Sequence, residues 1–278
     1  MYPTDTVSSQ DRLALFGFGL FETLLITEAG PLFVDLHWQR MNKGAEFLGL
    51  KLPGKAEWVK RVKEFVEETT VTSPYALRVT LSGGSPLANL SSQLLFHKRT
   101  IPYTRAQYTL GIRLHFLPSP RNEQSPLVSI KSTNYLENIL AKEESIRNGA
   151  EEGLWANTKG YICEGTMSNL FYIKDQILFT PSLVSGCLPG TRRQIILNLA
   201  LALQIPTYEG LYPFSSLLEA DEIFMTNALM GIMPVGQVDD LLFPIAKWGT
   251  KDSVTRRLEC AYNNLIKSAS PNPLFYRF

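Results

Sequence analysis

The chain has 278 residues, 45% of them hydrophobic and 19% charged, with a formal net charge of +1, the balance of a globular protein long enough for one large domain or two medium ones. Near-neutral charge gives no electrostatic case for nucleic acid or an anionic membrane as partner, no run reaches the ~18 apolar residues of a membrane span, and MYPTDTVSSQDR lacks the basic and apolar regions of a secretion signal. Cys163, Cys187 and Cys260 form neither a zinc spacing nor an even disulfide framework, and His37, His97 and His115 are not grouped with acids, so the expectation is a cytoplasmic protein with no metal site.

Residues 1–11 carry little pattern. In the segment that follows, Gly17 and Gly19 punctuate an apolar run without the third glycine and helix start of a dinucleotide fingerprint, so they mark a bend or a close backbone approach. Leu20–Thr27 and Leu32–Val34 read as a hairpin around Glu28-Ala29-Gly30, followed by a helix from about Asp35 with Leu36, Met41, Ala45 and Leu48 inward. Arg40 lies in that helix and reads either as a surface arginine or as an anion contact. Lys55–Thr69 is amphipathic, with Trp58, Val59, Val62, Phe65 and Val66 inward. Tyr75–Leu81 alternates strictly, placing Arg78 mid-strand on the less apolar face. There Arg78 either faces solvent or lines a cleft, where a guanidinium suits a substrate carboxylate. Ser82–Ser92 reads as a long mobile loop and Ile112, Leu114 and Phe116 as a strand; the two prolines of 117–122 mark a linker.

Lys131 follows an apolar run and precedes an amphipathic helix on which Leu136, Ile139, Leu140 and Ile146 share a face, with Gly149 at its end. A lysine among packed apolar residues is more easily deprotonated, and a neutral amine is the nucleophile for a Schiff base. Two strands joined at Lys159-Gly160 lead to Glu164, a carboxylate of the kind that holds a pyridine nitrogen protonated. Taken singly, Lys131 reads as a solvated loop lysine and Glu164 as a sheet-edge charge, and only further motifs outweigh that reading. A further hairpin turns at Lys174-Asp175-Gln176. SGCLPGTRRQII then feeds a helix from about Arg192 through a glycine turn, either an ordinary helix entry or a cradle for phosphate. A short helix at Ser215–Glu219, a strand at Asp221–Thr226, the turn NALMGIMPV, a helix over Asp252–Lys267 and an extended tail SPNPLFYRF complete the chain.

The motifs GFGLFET, HWQRM, IKSTNYLENILAKEE, CEGTMSNLFYIKD, SGCLPGTRRQII and ADEIFMTNALMGIMPV, in this order, resemble the class IV aminotransferases. These are pyridoxal-phosphate enzymes of fold type IV whose branches include branched-chain and D-amino-acid aminotransferases and 4-amino-4-deoxychorismate lyases. The resemblance implies an α/β (α+β) fold of two domains: a small N-terminal α/β domain over 1–118, a linker at 119–122, and a larger cofactor-binding α/β pseudobarrel over 123–278. It also implies a homodimer and pyridoxal 5'-phosphate as cofactor. Carried over by residue, Lys131 is the Schiff-base lysine and proton shuttle, Glu164 pairs with the pyridine nitrogen, and Tyr135 bonds the ring's phenolic oxygen. Arg40 binds the phosphate, Leu188 packs on the ring, the amides of Gly190 and Thr191 meet the phosphate, and Asn227 and Ala228 lie on the same phosphate-facing turn. Phe18 stands where the family usually has aspartate, and Thr191 sits one position early after Pro-Gly. The pairing of NALM with MPV is similar to the lyase branch, which makes 4-aminobenzoate and pyruvate for folate synthesis. The absence of arginine from Ser82–Ser92, and Tyr135 itself, are closer to the aminotransferases.

Overall fold

The computed structural model describes residues 6–69, 74–243 and 253–268; the expected tail SPNPLFYRF lies outside them. It forms two compact units. The first takes in the chain up to Pro102 and the short segment Ile130–Tyr135; the second takes in Tyr103–Ser129 and Leu136–Leu265.

The first unit is built from α1 (Arg12–Phe16), β1 (Gly19–Thr27), β2 (Gly30–Pro31), α2 (Val34–Leu48), α3 (Lys55–Glu68), β3 (Tyr75–Ser82) and β4 (Leu94–Arg99). Its antiparallel sheet has the order β2-β1-β3-β4. Leu20, Leu24 and Ile26 of β1 and Leu77, Val79 and Leu81 of β3 form one core with Met41 and Ala45 of α2 and Trp58 and Val62 of α3. Both helices therefore cover one sheet face, and the period-2 alternation of side chains sends Phe21, Thr23, Arg78 and Thr80 to the other. On α2 the innermost positions are His37, Met41, Gly44 and Ala45, so a histidine takes the place expected for Leu36. Ser82–Ser92 is a closed turn, tied by reciprocal backbone bonds between Ser85 and Leu90 at 2.9 and 2.8 Å.

The second unit contains α4 (Arg105–Leu110), β5 (Ile112–Phe116), α5 (Leu136–Arg147), β6 (Glu152–Ala156), β7 (Ile162–Gly165), β8 (Asn169–Lys174), β9 (Ile177–Pro181), α6 (Thr191–Ala202), β10 (Thr207–Gly210), α7 (Ser215–Leu218), β11 (Glu222–Asn227), β12 (Gly231–Val238), β13 (Leu241–Leu242) and α8 (Val254–Ser268). The mixed sheet runs β10-β9-β8-β11-β12-β5-β6-β7, with β13 on β12. The pairs β9–β10, β12–β5 and β5–β6 are parallel.

Two expectations are corrected here. The domain change expected at 118 falls after Pro102, because β5 pairs with β12 and β6 of the second sheet. The expected linker 119–122 belongs to that unit too: Leu117 is buried and Arg121 N donates to Ala156 O at 2.8 Å. Prolines there stop a helix but leave an extended backbone free to follow β6. The apolar face of α5 is exposed. Leu136, Ile139, Leu140 and Ile146 are 66, 40, 53 and 59% exposed, whereas Asn138, Ala141 and Ser145 are buried. Small side chains let α5 approach β6 closely: a Cβ on Gly153 would stand 2.4 Å from Ser145 Oγ and 2.9 Å from Leu117 Cδ1. Gly153→Ala is therefore expected to cost about 1–3 kcal/mol by overpacking, with partial recovery in Gly153→Ala/Ser145→Ala. Chemical denaturation of the three proteins checks both.

Candidate active site

The residues singled out in sequence fall into two groups, one in each unit. In the first unit, Lys131 sits beside β1. Its carbonyl accepts from Phe21 N at 3.0 Å, Ser132 bridges Leu20, and Thr133 N donates to Gly19 O at 2.9 Å. The segment thus continues the sheet beyond the short β2 and delivers Lys131 to the helix-free face. There its Nζ lies 4.4 Å from the centre of the Phe21 ring and 5.5 Å from that of Tyr135, and the two rings meet edge to face at 5.1 Å. Arg78 joins them, its guanidinium carbon 3.8 Å from the same Phe21 centre and its Nε donating to Thr80 Oγ1 at 3.3 Å. Burial, and then the nearby charge of Arg99, push the Arg78 pKa down. No carboxylate among the described residues forms an ion pair with it. Phe21 carried no sequence signal for this role, since an aromatic in an apolar strand reads as core.

Arg40, itself partly buried, joins a triad with the buried Glu22 and His37. Its Nε and Nη2 donate to Glu22 Oε1 and Oε2 at 2.7 and 2.6 Å, a two-point pair, and His37 Nδ1 lies 2.6 Å from Glu22 Oε2. This corrects the reading of the histidines: His37 pairs with Glu22, and His115 Nδ1 lies 2.9 Å from Asp239. Arg40, for which the resemblance implied a phosphate contact, has its Nε and Nη2 engaged by Glu22. Burial raises the Glu22 pKa, but Arg40 and His37 outweigh it and hold the group down from 4.5 to about 2. A depressed folded pKa stabilises the fold fully above the unfolded value, and that contribution disappears as pH falls from about 4.5 through about 2. Its size is on the order of 3 kcal/mol. Glu22→Gln is expected to flatten the acid limb of stability against pH in that window and to destabilise the protein at pH 7, measured by denaturant melts across pH.

In the second unit Glu164, near the end of β7, is buried. Its Oε2 accepts from Leu188 N at 2.9 Å and from Asn169 Nδ2 at 3.4 Å, and Arg121 Nη2 lies 3.7 Å from Oε1. Arg121 is fixed in turn by Glu137 at 2.8 Å and by the Trp155 ring at 4.6 Å. Leu188, expected to pack on a ring, holds Glu164 through its backbone. The sequence reading missed Arg121 and Asn169, whose partners come from other elements. The thiols flanking this site are poor nucleophiles: burial pushes Cys187 up to about 12 and Cys163 higher still.

Gly190 caps α6 with no side-chain bond to the first turn, which leaves amides at the positive end of the helix dipole. Asn169 Nδ2 also donates to Leu188 O at 2.9 Å, and a Cβ on Gly190 would stand 1.9 Å from Asn169 Oδ1. Glycine is therefore required there, and Asn169 ties this turn to Glu164. The Asn227 turn is self-built. Asn227 Oδ1 accepts from Leu229 N and Met230 N, both at 2.9 Å, while Nδ2 donates to Tyr103 Oη at 2.8 Å and Met167 O at 3.2 Å. The Asn227 side chain thus shapes the turn and leaves outward contact to the backbone. Arg192 Nη2, 3.0 Å from Ala228 O, joins the Gly190–Thr191 and Asn227–Ala228 turns. A buried carboxylate held by donors, beside amides at a helix start, fits the pyridine nitrogen and phosphate of pyridoxal 5'-phosphate. Among the described residues no group of three His, Cys, Asp or Glu stands where it could hold a metal.

The family described as "Amino-transferase class IV" matches residues 19–238, and the chain belongs to that family: it is a pyridoxal-phosphate-dependent enzyme, a lyase or an aminotransferase. Its mixed α/β fold, a small antiparallel N-terminal sheet and a larger second sheet, is fold type IV. Among individual proteins it is similar to an aminodeoxychorismate lyase of Bacillus subtilis, 27% identical over 94% of this chain and 90% of that one. The crystal structure of a 4-amino-4-deoxychorismate lyase from Pseudomonas aeruginosa has a TM-score of 0.83 at 26% identity, over 94% of this chain and 96% of that one. That of the branched-chain amino acid aminotransferase of Escherichia coli has 0.84 at 25%, over 94 and 90%. No helix among the described residues is long and apolar enough to cross a membrane.

Proposed function

We propose that the chain is an aminodeoxychorismate lyase, converting 4-amino-4-deoxychorismate to 4-aminobenzoate and pyruvate. The observation that carries this reading is the Asn227–Met230 turn, where one asparagine satisfies two backbone donors and reaches Tyr103 and Met167. This is the segment whose sequence resembles the lyase branch, and the near full-length similarity to the lyases supports it. The similarity to the aminotransferase structure keeps amino transfer to a 2-oxo acid as the second reading.

Pyridoxal 5'-phosphate, when bound, supplies an aldehyde and a ring that accepts electrons. Lys131 Nζ would hold the cofactor by its aldehyde carbon and, as a free amine, would move the proton at the amine-bearing carbon of the substrate. Glu164, held by Leu188 N and Asn169, keeps a proton at the pyridine nitrogen. Tyr135 orients the phenolic oxygen; Arg40 and the amides of Gly190, Thr191 and Ala228 bind the phosphate. Arg78, without a carboxylate partner among the described residues, binds a substrate carboxylate. Lys131 returns the proton to the departing three-carbon unit. Paired assays test the reading: 4-aminobenzoate and pyruvate from aminodeoxychorismate support the lyase, whereas glutamate from an amino acid with 2-oxoglutarate, and none of the first products, would replace it with the aminotransferase.

The assembly proposed is a homodimer, with a second copy covering the outward face of α5. Four large apolar side chains on one face of one helix are more than scattered surface residues. Light scattering is expected to give twice the chain mass, and Ile139→Lys/Leu140→Lys to shift it towards monomer. Three free cysteines support the reducing cytoplasm as its compartment.

A further inference from the structure

One buried charge is not used by the chemistry above. Arg192, the second residue of α6, is 1% exposed, and two of its nitrogens donate within the protein fold. Its Nη2 donates to Ala228 O at 3.0 Å and its Nε to Tyr262 Oη at 2.9 Å. Tyr262, on α8, is itself 4% exposed. Its ring also backs the far end of the 227–230 turn: a Cβ on Gly231 would stand 2.9 Å from Tyr262 Cε1, and Gly231 has φ +63°. One tyrosine thus braces the turn from behind at Gly231 and aims the arginine that grips it at Ala228. The helix that carries Tyr262 is anchored independently, because buried Glu222 at the start of β11 accepts from Val254 N, Thr255 N and Ser253 Oγ at 3.2, 2.9 and 2.9 Å. Strand β11 ends at Asn227, so α8 is tied to both ends of the same strand.

We propose that Arg192 and Tyr262 are positioning residues for the cofactor's phosphate. Arg192 sets the spacing between the Gly190–Thr191 amides and the Asn227–Ala228 turn and places a guanidinium behind them, and Tyr262 fixes its orientation. This rests on the cofactor reading above. A guanidinium plane held at two of its nitrogens has little freedom left, so the two turns move together or not at all. The positive charge in the first turn of α6 adds to the helix dipole at the place where a phosphate dianion is expected. A methionine of similar length would fill the volume without either effect.

The test compares pyridoxal 5'-phosphate with pyridoxal, which lacks the phosphate but offers the same aldehyde and ring. Both are titrated into apo protein and followed by absorbance and borohydride trapping. Tyr262→Phe and Arg192→Met are each expected to weaken pyridoxal 5'-phosphate binding by roughly tenfold, equivalent to about 1.4 kcal/mol, and to leave pyridoxal binding unchanged. The double variant is expected to lose no more than Arg192→Met alone, since Tyr262 acts through Arg192. Equal losses for both ligands, as a general structural role gives, would overturn the proposal; so would unchanged pyridoxal 5'-phosphate affinity, or additive losses in the double variant. Should Arg192→Met not fold, Tyr262→Phe decides the matter alone through the same ligand pair. Wild-type protein that binds neither ligand would remove the cofactor reading and this inference together, before any variant is made.

Discussion

Lys131→Ala protein is expected to turn over neither aminodeoxychorismate nor an amino acid at a measurable rate, a loss of about 10⁴-fold or more in kcat. The size follows from the number of tasks the proposed function places on one nitrogen: holding the cofactor and moving a proton off the substrate carbon and back. The surrounding side chains cannot substitute. Phe21 offers a ring face, Tyr135 its ring edge-on to Phe21, and Arg78 a guanidinium that does not act as a base. The fold is expected to survive, because Lys131 is half-buried and its segment is held to β1 through backbone atoms at Phe21 and Gly19. Unaltered melting with abolished turnover, partly restored by added small primary amines, is the pattern to look for in paired thermal and kinetic measurements. Turnover within tenfold of the parent protein would mean that another base does the chemistry.

Glu164→Gln is expected to reduce kcat/KM by about 10²–10³, in the range for deleting one preorganised electrostatic contact. Glutamine keeps an oxygen that can accept from Leu188 N, so the loop at 188–190 should stay in place and cofactor affinity should change little. What is lost is the negative charge that makes a protonated pyridine nitrogen favourable. Arg121, 3.7 Å from Glu164 and anchored by Glu137 and Trp155, would then face a neutral amide. A carboxylate at the shorter reach of Glu164→Asp is expected to recover part of the rate, whereas Glu164→Ala should lose rate and affinity together by freeing Leu188 N. Steady-state kinetics alongside cofactor titration separates these outcomes; an unchanged kcat/KM in Glu164→Gln would remove Glu164 from the mechanism.

The elements were most legible where one face of a strand or helix is buried. Tyr75–Ser82 alternates because α2 and α3 cover only one side of its sheet, and α3 shows its inward stripe through Trp58 and Val62. The apolar stripe of α5 was equally visible, but its exposure was not. Periodicity marks an apolar face without saying what covers it, and here Gly153 demands small neighbours, so the helix buries Asn138, Ala141 and Ser145. Glu22 hid in an apolar strand because its compensating charges, His37 and Arg40, come from a separate helix. The domain boundary was misplaced because Ile130–Tyr135 returns to the first unit after β5 has joined the second, and a non-contiguous unit leaves no compositional mark. Lys131 and Glu164 were found through motif order. Arg121 and Tyr262 act across long sequence separations and Asn169 from the neighbouring strand, and no local pattern announces them.

The measurement that bears most directly on the account is peptide mapping of the protein after loading with pyridoxal 5'-phosphate and reduction with borohydride. The account predicts a single phosphopyridoxyl label, on the peptide containing Lys131, and none in Lys131→Ala. A label on another lysine, or no label on protein that is folded and saturated with the cofactor, would contradict it.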